Sequence, residues 1–301
     1  MSWFKRAHRN DMYQFDEQDD DEQRVPANVG AVIDDVHSLP TERPGITTKQ
    51  FRTLFWLNFS AFIFQAASAA GIFVLIDDAK TYPFYTNYPL ITDTGIPSGP
   101  NTKIAFNLNV GWLSGVFLAL SALDHLLVCT ILKRSYEKGL RNHYNVFRWI
   151  EYAFSASIMR IIVGILSGVN DLHMMFLQFG LTACTMIFGL VFELENKELR
   201  LSGMKLKWYI YWLGFIPHIF SWVIIFGFFF YSLSKGDPPA FVYSIVFIIF
   251  ALDLSFAIIL ALQWLGKKCF RPYINGEIAF IILSFTSKNL LAWINFFGGN
   301  R

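Results

Sequence analysis

The stretch from Ile281 to Phe297, IILSFTSKNLLAWINFF, contains one charged residue, Lys288, in a segment otherwise suited to hydrocarbon. It belongs to one of seven apolar runs of about 20 residues or more, the length with which a helix crosses a bilayer. The seven predicted spans are Phe51–Ile76, Ile104–Leu132, Tyr144–Ser167, Leu172–Phe192, Trp208–Leu233, Ala240–Leu265 and Glu277–Phe297. Only 16% of the 301 residues are charged, whereas a typical soluble domain has about 25%. The sequence therefore predicts an all-α membrane protein, a bundle of seven transmembrane helices in a lipid bilayer.

The first 48 residues differ in composition from the rest of the chain. They contain the acidic run DEQDDDEQ at Asp16–Gln23 and the proline-containing segment LPTERPG at Leu39–Gly45. A polar, acidic segment of this kind cannot bury enough apolar surface to fold alone. We therefore expect residues 1–48 to be a disordered cytosolic tail and residues 49–301 to form the seven-helix domain.

The loop between the first two spans, residues 77–103, is rich in Tyr, Thr, Pro and Gly. Tyr82, Phe84, Leu90 and Thr92 are spaced as alternating residues around prolines, a pattern that favours a short β-hairpin at the membrane surface. An ordered loop without strands fits the composition equally well.

Basic residues in the loops predict the orientation of the bundle, because Lys and Arg concentrate on the cytosolic side. One side has Lys133, Arg134, Lys138, Arg141, Lys197, Arg200, Lys205, Lys207, Lys267, Lys268 and Arg271, and the other has Lys80, Lys103, Lys235 and Arg301. The first group indicates a multi-pass plasma-membrane protein with a cytosolic N-terminus, an extracellular C-terminus and an extracellular loop at 77–103. Receptors that couple to G proteins have the opposite orientation, so we set that function aside.

Lys288 lies near the middle of its span, about 14 Å from either end at ~1.5 Å per residue, too far for its ammonium to reach the headgroups. It therefore needs a buried carboxylate, a water-filled cavity or conversion to an imine. The best partner is Glu151 in RWIEYAFSASIMR, on a helix face that continues through Ser155 to Met159. The alternative is an interfacial Glu151 paired with Arg148.

Other polar residues are predicted at membrane depth. His125 can hold a proton released by an imine, although Asp124 and His125 also fit a solvated pair near the cytosolic end of their span. Ser284 precedes Lys288 by one turn, and a carboxylate such as Asp253 near the centre of a span is costly and indicates function. The sequence has no catalytic triad order and no metal-ligand spacing, so we predict neither an enzyme nor a metal site. A net charge of +2 without a basic footprint predicts no nucleic-acid partner.

RWIEY followed by SASIM in the third span, SFTSK in the seventh and SALDH in the second together resemble the heliorhodopsins, over all seven spans and with the same inverted topology. The resemblance implies all-trans retinal as cofactor, bound as a Schiff base to Lys288 with Glu151 as the single counter-ion. It further implies that Ser155 and Ser284 hydrogen-bond around this pair, that Met159 touches the polyene and that His125 joins a cytosolic polar cluster. In that family the long first loop forms β-strands that help to build a homodimer.

Several positions depart from the related patterns. Gln65 stands where the family has a histidine in the first span, and Asp253 stands where a neutral amide is expected. Light-driven pumps resemble this chain in the third span, but they have a second acid at the position of Ser284 and a proton donor where this chain has Ile162. Pumping by their usual route is therefore not expected.

Three functions remain open from the sequence. The first is a light sensor that signals to an unknown cytosolic partner. The second is a light-gated proton conductance, with Asp253, Glu193 and Asp124 beside His125 as relay candidates. The third is a colourless transporter with a Lys288–Glu151 ion pair, which is disfavoured because we find no internal repeat of the kind transporters show.

Overall fold

The computed structural model describes residues 46–299. These residues form one two-stranded sheet and a set of helices that surround a polar centre. The elements are α1 Thr48–Leu75, β1 Tyr82–Ile91, β2 Pro97–Leu108, α2 Val110–Cys129, α3 Lys133–Arg141, α4 Val146–Leu166, α5 Leu172–Leu201, α6 Trp208–Leu213, α7 Phe215–Lys235, α8 Ala240–Leu265 and α9 Tyr273–Gly299. Seven candidate membrane spans lie within this part of the chain: α1, α2, α4, α5, α6 with α7, α8 and α9. The predicted all-α fold with seven spans is confirmed.

The predicted start of the second span at Ile104 is wrong. Residues up to Leu108 belong to β2, and the helix begins at Val110 after Asn109, whose side-chain oxygen accepts a hydrogen bond from the amide of Gly111 at 2.9 Å. The run IAFNLNV is apolar enough to resemble the start of a helix, so hydropathy alone did not separate the strand from the span.

Other predicted boundaries also moved. The fourth span does not end at Phe192, because α5 continues for about two and a half further turns to Leu201 through a charged segment. The fifth span is interrupted at Gly214, between α6 and α7. The seventh begins at Tyr273 rather than Glu277. Glu193 in α5 and Glu277 in α9 are helical residues whose side chains are buried in the protein. At both positions hydropathy indicates the end of a span.

The predicted acidic tail, residues 1–48, lies outside the described residues apart from its last three. Thr47 caps α1, because its hydroxyl accepts a hydrogen bond from the amide of Gln50 while the side chain of Gln50 accepts one from the amide of Thr47. This reciprocal capping box fixes the start of the first span at Thr48. The division of the chain into tail and domain stays a prediction.

The first long loop forms the predicted β-hairpin, with strands of 10 and 12 residues. Tyr82 pairs with Leu108 at the base of the hairpin and Ile91 pairs with Pro97 near its turn, in an antiparallel register. The alternative of an ordered loop without strands is therefore wrong. Gly95 in the turn has a positive φ of 76°, which only glycine adopts without strain.

The hairpin is fastened to the bundle just before α5. The amide of Tyr85 donates to the carbonyl of Asn170 at 2.8 Å, and the side-chain amide of Asn87 donates to the carboxylate of Asp171 at 2.7 Å. Burial raises the pKa of Asp171, but hydrogen bonds from the Met174 amide, Asn87 and the His173 amide outweigh it, and the pKa lies below its ordinary value. The carboxylate therefore caps α5 and holds the hairpin at once.

Helix α4 is the most buried of the seven spans. In its apolar 18-residue stretch 61% of the residues are buried inside the protein, against 22% in those of α5 and α8. Two apolar clusters pack along it. One contains Ile162 and Phe84 and lies on the hairpin side, and the other contains Tyr152 and Phe280 and lies on the side of the basic loops. Between them, at mid-depth, the helices bring polar side chains together.

Candidate functional site

Lys288 and Glu151 form a buried ion pair between α9 and α4. The ammonium of Lys288 lies 2.7 Å from each carboxylate oxygen of Glu151, and the two residues are only 2% and 9% exposed. The hydroxyl of Ser121 on α2 accepts a third hydrogen bond from Lys288 at 2.5 Å. The ring of Tyr152 has its centroid 4.9 Å from the same ammonium. A cation that is taken out of water is thus met by an opposite charge, a hydroxyl and an aromatic face.

Arg148 does not pair with Glu151. Its guanidinium binds the carboxylates of Glu193 on α5 and Glu277 on α9. Asn145 supports both acids, because its backbone amide donates to Glu193 at 2.9 Å and its side chain donates to Glu277 at 2.6 Å. We call Arg148, Glu193, Glu277 and Asn145 the arginine cluster; it lies toward the basic loops from Lys288.

The arginine cluster continues to the predicted residue His125. Tyr136 on α3 donates to Glu277 at 3.3 Å, and the side chain of Asn58 lies between Tyr136 and Nδ1 of His125, 2.7 Å from the latter. Burial raises the pKa of Tyr136 well above its ordinary value, and the neighbouring Glu277 carboxylate adds to the effect. The phenol therefore stays protonated and can donate at any physiological pH.

A small cavity of about 20 Å³ joins Glu151 to these groups. Its wall includes Asp124, His125, Tyr136, Arg148, Glu277 and Ser284. This volume can hold a water molecule, since about 10 to 15 Å³ is enough for one in a polar site. The predicted residues Asp124, His125 and Ser284 thus share one polar space with Glu151, the partner of Lys288.

A larger, mainly apolar cavity of about 110 Å³ opens on the other side of Lys288, between α4, α5, α6, α7, α8 and α9. Its wall contains Trp149, Tyr152, Met159, Phe188, Phe192, Tyr211, Phe215, Phe256 and Phe280. The predicted Met159 is among them. The wall also includes Arg160, which is nine residues and about 14 Å along α4 from Glu151. The cavity is therefore elongated along the bundle and has Lys288 in its lining.

A comparison with known protein families matches heliorhodopsin over residues 54–299, which is most of the chain. The chain belongs to the heliorhodopsin family. The resemblance seen in the sequence motifs is thereby confirmed, and with it a seven-helix, multi-pass membrane protein whose family implies a retinal chromophore. Heliorhodopsins are membrane photoreceptors rather than typical enzymes. No curated protein matches the chain.

The site residues fit the group that a heliorhodopsin holds. Retinal is an elongated hydrocarbon with an aldehyde at one end, and it needs an amine beside a long apolar cavity. Lys288 supplies a buried amine in the lining of such a cavity, and the aromatic wall matches a conjugated hydrocarbon. Across residues 46–299, no three His, Cys, Asp or Glu side chains are grouped as metal ligands.

In this heliorhodopsin Asp253 is bound to a cation. Its carboxylate accepts a hydrogen bond from Arg160 on α4, in the wall of the large cavity. Glu193 is held just as firmly by Arg148. The predicted relay residues therefore belong to two separate clusters, with Glu193 beside the basic loops and Asp253 in the wall of the large cavity.

Sequence reasoning missed Ser121 as a partner of Lys288 and named Ser155 and Ser284 as the hydroxyls around the Lys288–Glu151 pair. Ser121 precedes His125 by one helical turn within SALDH, so the same motif that drew attention to His125 contains the signal. Ser155 is fully buried, but within residues 46–299 its hydroxyl finds no hydrogen-bond partner. Gln65, which stands at the position of the family histidine, is likewise fully buried and unpartnered within the same residues.

We expect Ser121→Ala to destabilise the protein purified without retinal by about 1.5–3 kcal/mol, because a hydrogen bond to a charged group is worth that much. Ser155→Ala is the matched control. It removes a buried hydroxyl that has no partner among residues 46–299 and should be neutral or slightly stabilising. Thermal unfolding of both variants in the same detergent measures the difference in stability. Equal losses of stability would show that the hydrogen bond between Lys288 and Ser121 does not stabilise the protein.

Proposed function

We propose that this heliorhodopsin is a retinal-based light sensor that binds all-trans retinal as a protonated Schiff base on Lys288, with Glu151 as counter-ion. The observation that carries the proposal is the buried Lys288–Glu151 pair beside an elongated aromatic cavity. Retinal supplies light absorption and a change of shape by isomerisation. The role is that of a photoreceptor and not of an enzyme.

The chain's own residues perform three tasks in this proposal. Glu151 balances the buried positive charge and is positioned to receive the proton from Nζ of Lys288. Ser121 and Tyr152 hold that nitrogen in place. Met159 and the aromatic wall exclude water and fix the direction of the polyene. Ser155 and Ser284 lie one turn from Glu151 and Lys288 respectively and complete the polar surroundings.

The arginine cluster is the proposed route from the site to the cytosolic surface. It links α4, α5 and α9 through charge pairs that a proton or a movement near Glu151 would disturb. Coupling of this kind needs an element with two arrangements, and a buried charge network beside helix ends is suited to that role. An unknown cytosolic partner would detect the change at the loops.

The orientation and assembly are proposed on the same basis. The basic loops favour a plasma-membrane protein with its N-terminus inside and the hairpin outside. The hairpin presents exposed apolar side chains, among them Tyr88, Leu90, Ile96 and Ile104. A surface of this kind favours association, and we propose a homodimer in which the hairpin takes part.

The alternative function is a light-gated proton conductance. The small polar cavity that joins Glu151 to Asp124, His125 and Glu277 favours a proton path toward the basic loops. The Arg160–Asp253 pair does not offer a free carboxylate on the other side, because Asp253 is held by a guanidinium. Photocurrents under voltage clamp separate the two functions: a sensor gives none, and a conductance gives a steady current whose direction follows the proton gradient.

The test of the proposed function is the absorption spectrum of the protein expressed with all-trans retinal. We expect a visible band that hydroxylamine bleaches, since this reagent attacks a Schiff base. The same preparation without retinal serves as the control. A colourless protein that retains no retinal would contradict the proposal and leave Lys288 as half of a buried ion pair.

A further inference from the structure

The Arg160 side chain, in the wall of the large cavity, has more hydrogen-bond donors than the acceptors around it among residues 46–299 engage. One terminal nitrogen binds Asp253, and the guanidinium carbon lies 4.2 Å from the centre of the Trp222 ring. The remaining nitrogens, Nε and Nη1, are buried and meet no acceptor among residues 46–299. His218, in the same cavity wall, has a buried Nε2 that is likewise unpartnered within those residues.

Unsatisfied buried donors of this number need an explanation, because each costs about 1–3 kcal/mol and more when it is charged. We call Arg160, Asp253 and His218 the distal cluster. It includes neither Lys288 nor Glu151, and none of the roles proposed above employs it. Arg160 and His218 both line a cavity otherwise built for hydrocarbon, and their unpartnered nitrogens are buried beside it. They therefore suit a polar group carried by the molecule that fills the cavity.

Charge narrows what that polar group can be. Asp253 already neutralises Arg160, so an added anion would leave a net negative charge at membrane depth, which is costly. A cation has no free carboxylate to bind there, because Asp253 is engaged by the guanidinium. A neutral oxygen that accepts hydrogen bonds, in a carbonyl or a hydroxyl group, satisfies Nε, Nη1 or His218 without changing the charge.

The position of the distal cluster along α4 indicates which end of the ligand carries the oxygen. Arg160 lies about 14 Å along α4 from Glu151, so an extended polyene attached at Lys288 reaches the cluster with its distal ring. We infer that the pocket selects a retinoid oxygenated on the ring, with the ring oxygen accepting hydrogen bonds from Arg160 and His218. This inference rests on the proposed retinal attachment at Lys288.

A competition experiment tests the inference. The full chain, expressed without retinal, is incubated with equal amounts of all-trans retinal and either all-trans 4-oxoretinal or all-trans 3-hydroxyretinal. The bound retinoids are then released as oximes and quantified by chromatography. We expect at least one oxygenated form to be enriched about tenfold, the ratio that one hydrogen bond to a charged donor supplies at its lower limit.

The variant Arg160→Met with Asp253→Asn removes both charges together and should remove most of the enrichment, leaving only what His218 supplies. His218→Phe removes the unpartnered Nε2 without touching the ion pair and should lower the enrichment only in part, which keeps the test usable if the double variant fails to fold. Retention of plain retinal without enrichment of either oxygenated form overturns the inference and leaves the proposed function intact. Retention of no retinoid overturns both.

Discussion

Replacing Lys288 with alanine should abolish the visible band completely. The ammonium of Lys288 is the buried amine in the lining of the large cavity, and an alanine leaves no nitrogen there to form the Schiff base. The substitution also leaves Glu151 buried without its cation, which costs about 3–5 kcal/mol. Loss of colour through unfolding must therefore be separated from loss of the attachment point.

Lys288→Arg is the matched variant that separates them. A guanidinium keeps the positive charge beside Glu151 but does not form a Schiff base with an aldehyde. We expect this variant to fold, as shown by elution from a size-exclusion column at the wild-type volume. We also expect it to remain colourless after incubation with all-trans retinal. A hydroxylamine-sensitive visible band in either variant would show that Lys288 is not the attachment site.

Glu151→Gln should remove most of the visible band at neutral pH. Glu151 is the carboxylate that contacts Nζ of Lys288, with both oxygens at 2.7 Å. Removing one partner of a buried ion pair costs about 3–5 kcal/mol, which favours the neutral imine over the protonated one by about a hundredfold to several thousandfold. A neutral retinal imine absorbs in the near ultraviolet, so the pigment should lose its visible colour without losing retinal.

Spectra recorded across a range of pH measure this effect. The visible band of Glu151→Gln should return only under acidic conditions, and Glu151→Asp should keep a visible band at neutral pH because it retains the charge. A Glu151→Gln pigment with the wild-type band and pH range would mean that another group balances Lys288. Asp124 is the next candidate, because it lines the small cavity together with Glu151.

The sequence was sufficient for the seven spans and for the partners Lys288 and Glu151. Long apolar runs are local signals, and a lone cation in one run with a lone acid in another leaves few ways to pair them. The pattern was least reliable where polarity and secondary structure disagree. Hydropathy predicts a loop at the charged helical turns after Phe192, which include Glu193, and a helix at the apolar end of β2, which includes Ile104.

The partners of the remaining charges could not be predicted, because they depend on how helices rotate and pack. Arg148 precedes Glu151 by three residues and was a natural candidate for it, yet α5 and α9 bring Glu193 and Glu277 to its guanidinium instead. Asp253 was recognised as a carboxylate at membrane depth, but no local pattern joins it to Arg160 on a helix so far away in sequence. Ser121 was missed for the same reason.

The covalent attachment of retinal to Lys288 is tested most directly by reducing the illuminated pigment with borohydride and mapping the retinyl group by peptide mass spectrometry. Reduction converts the imine into a stable amine that survives proteolysis. We predict one modified peptide, spanning SFTSKNLLAW, with the retinyl group on Lys288. A retinyl group on any other lysine, or on none while the protein is coloured, would contradict the assignment of Lys288 as the chromophore lysine.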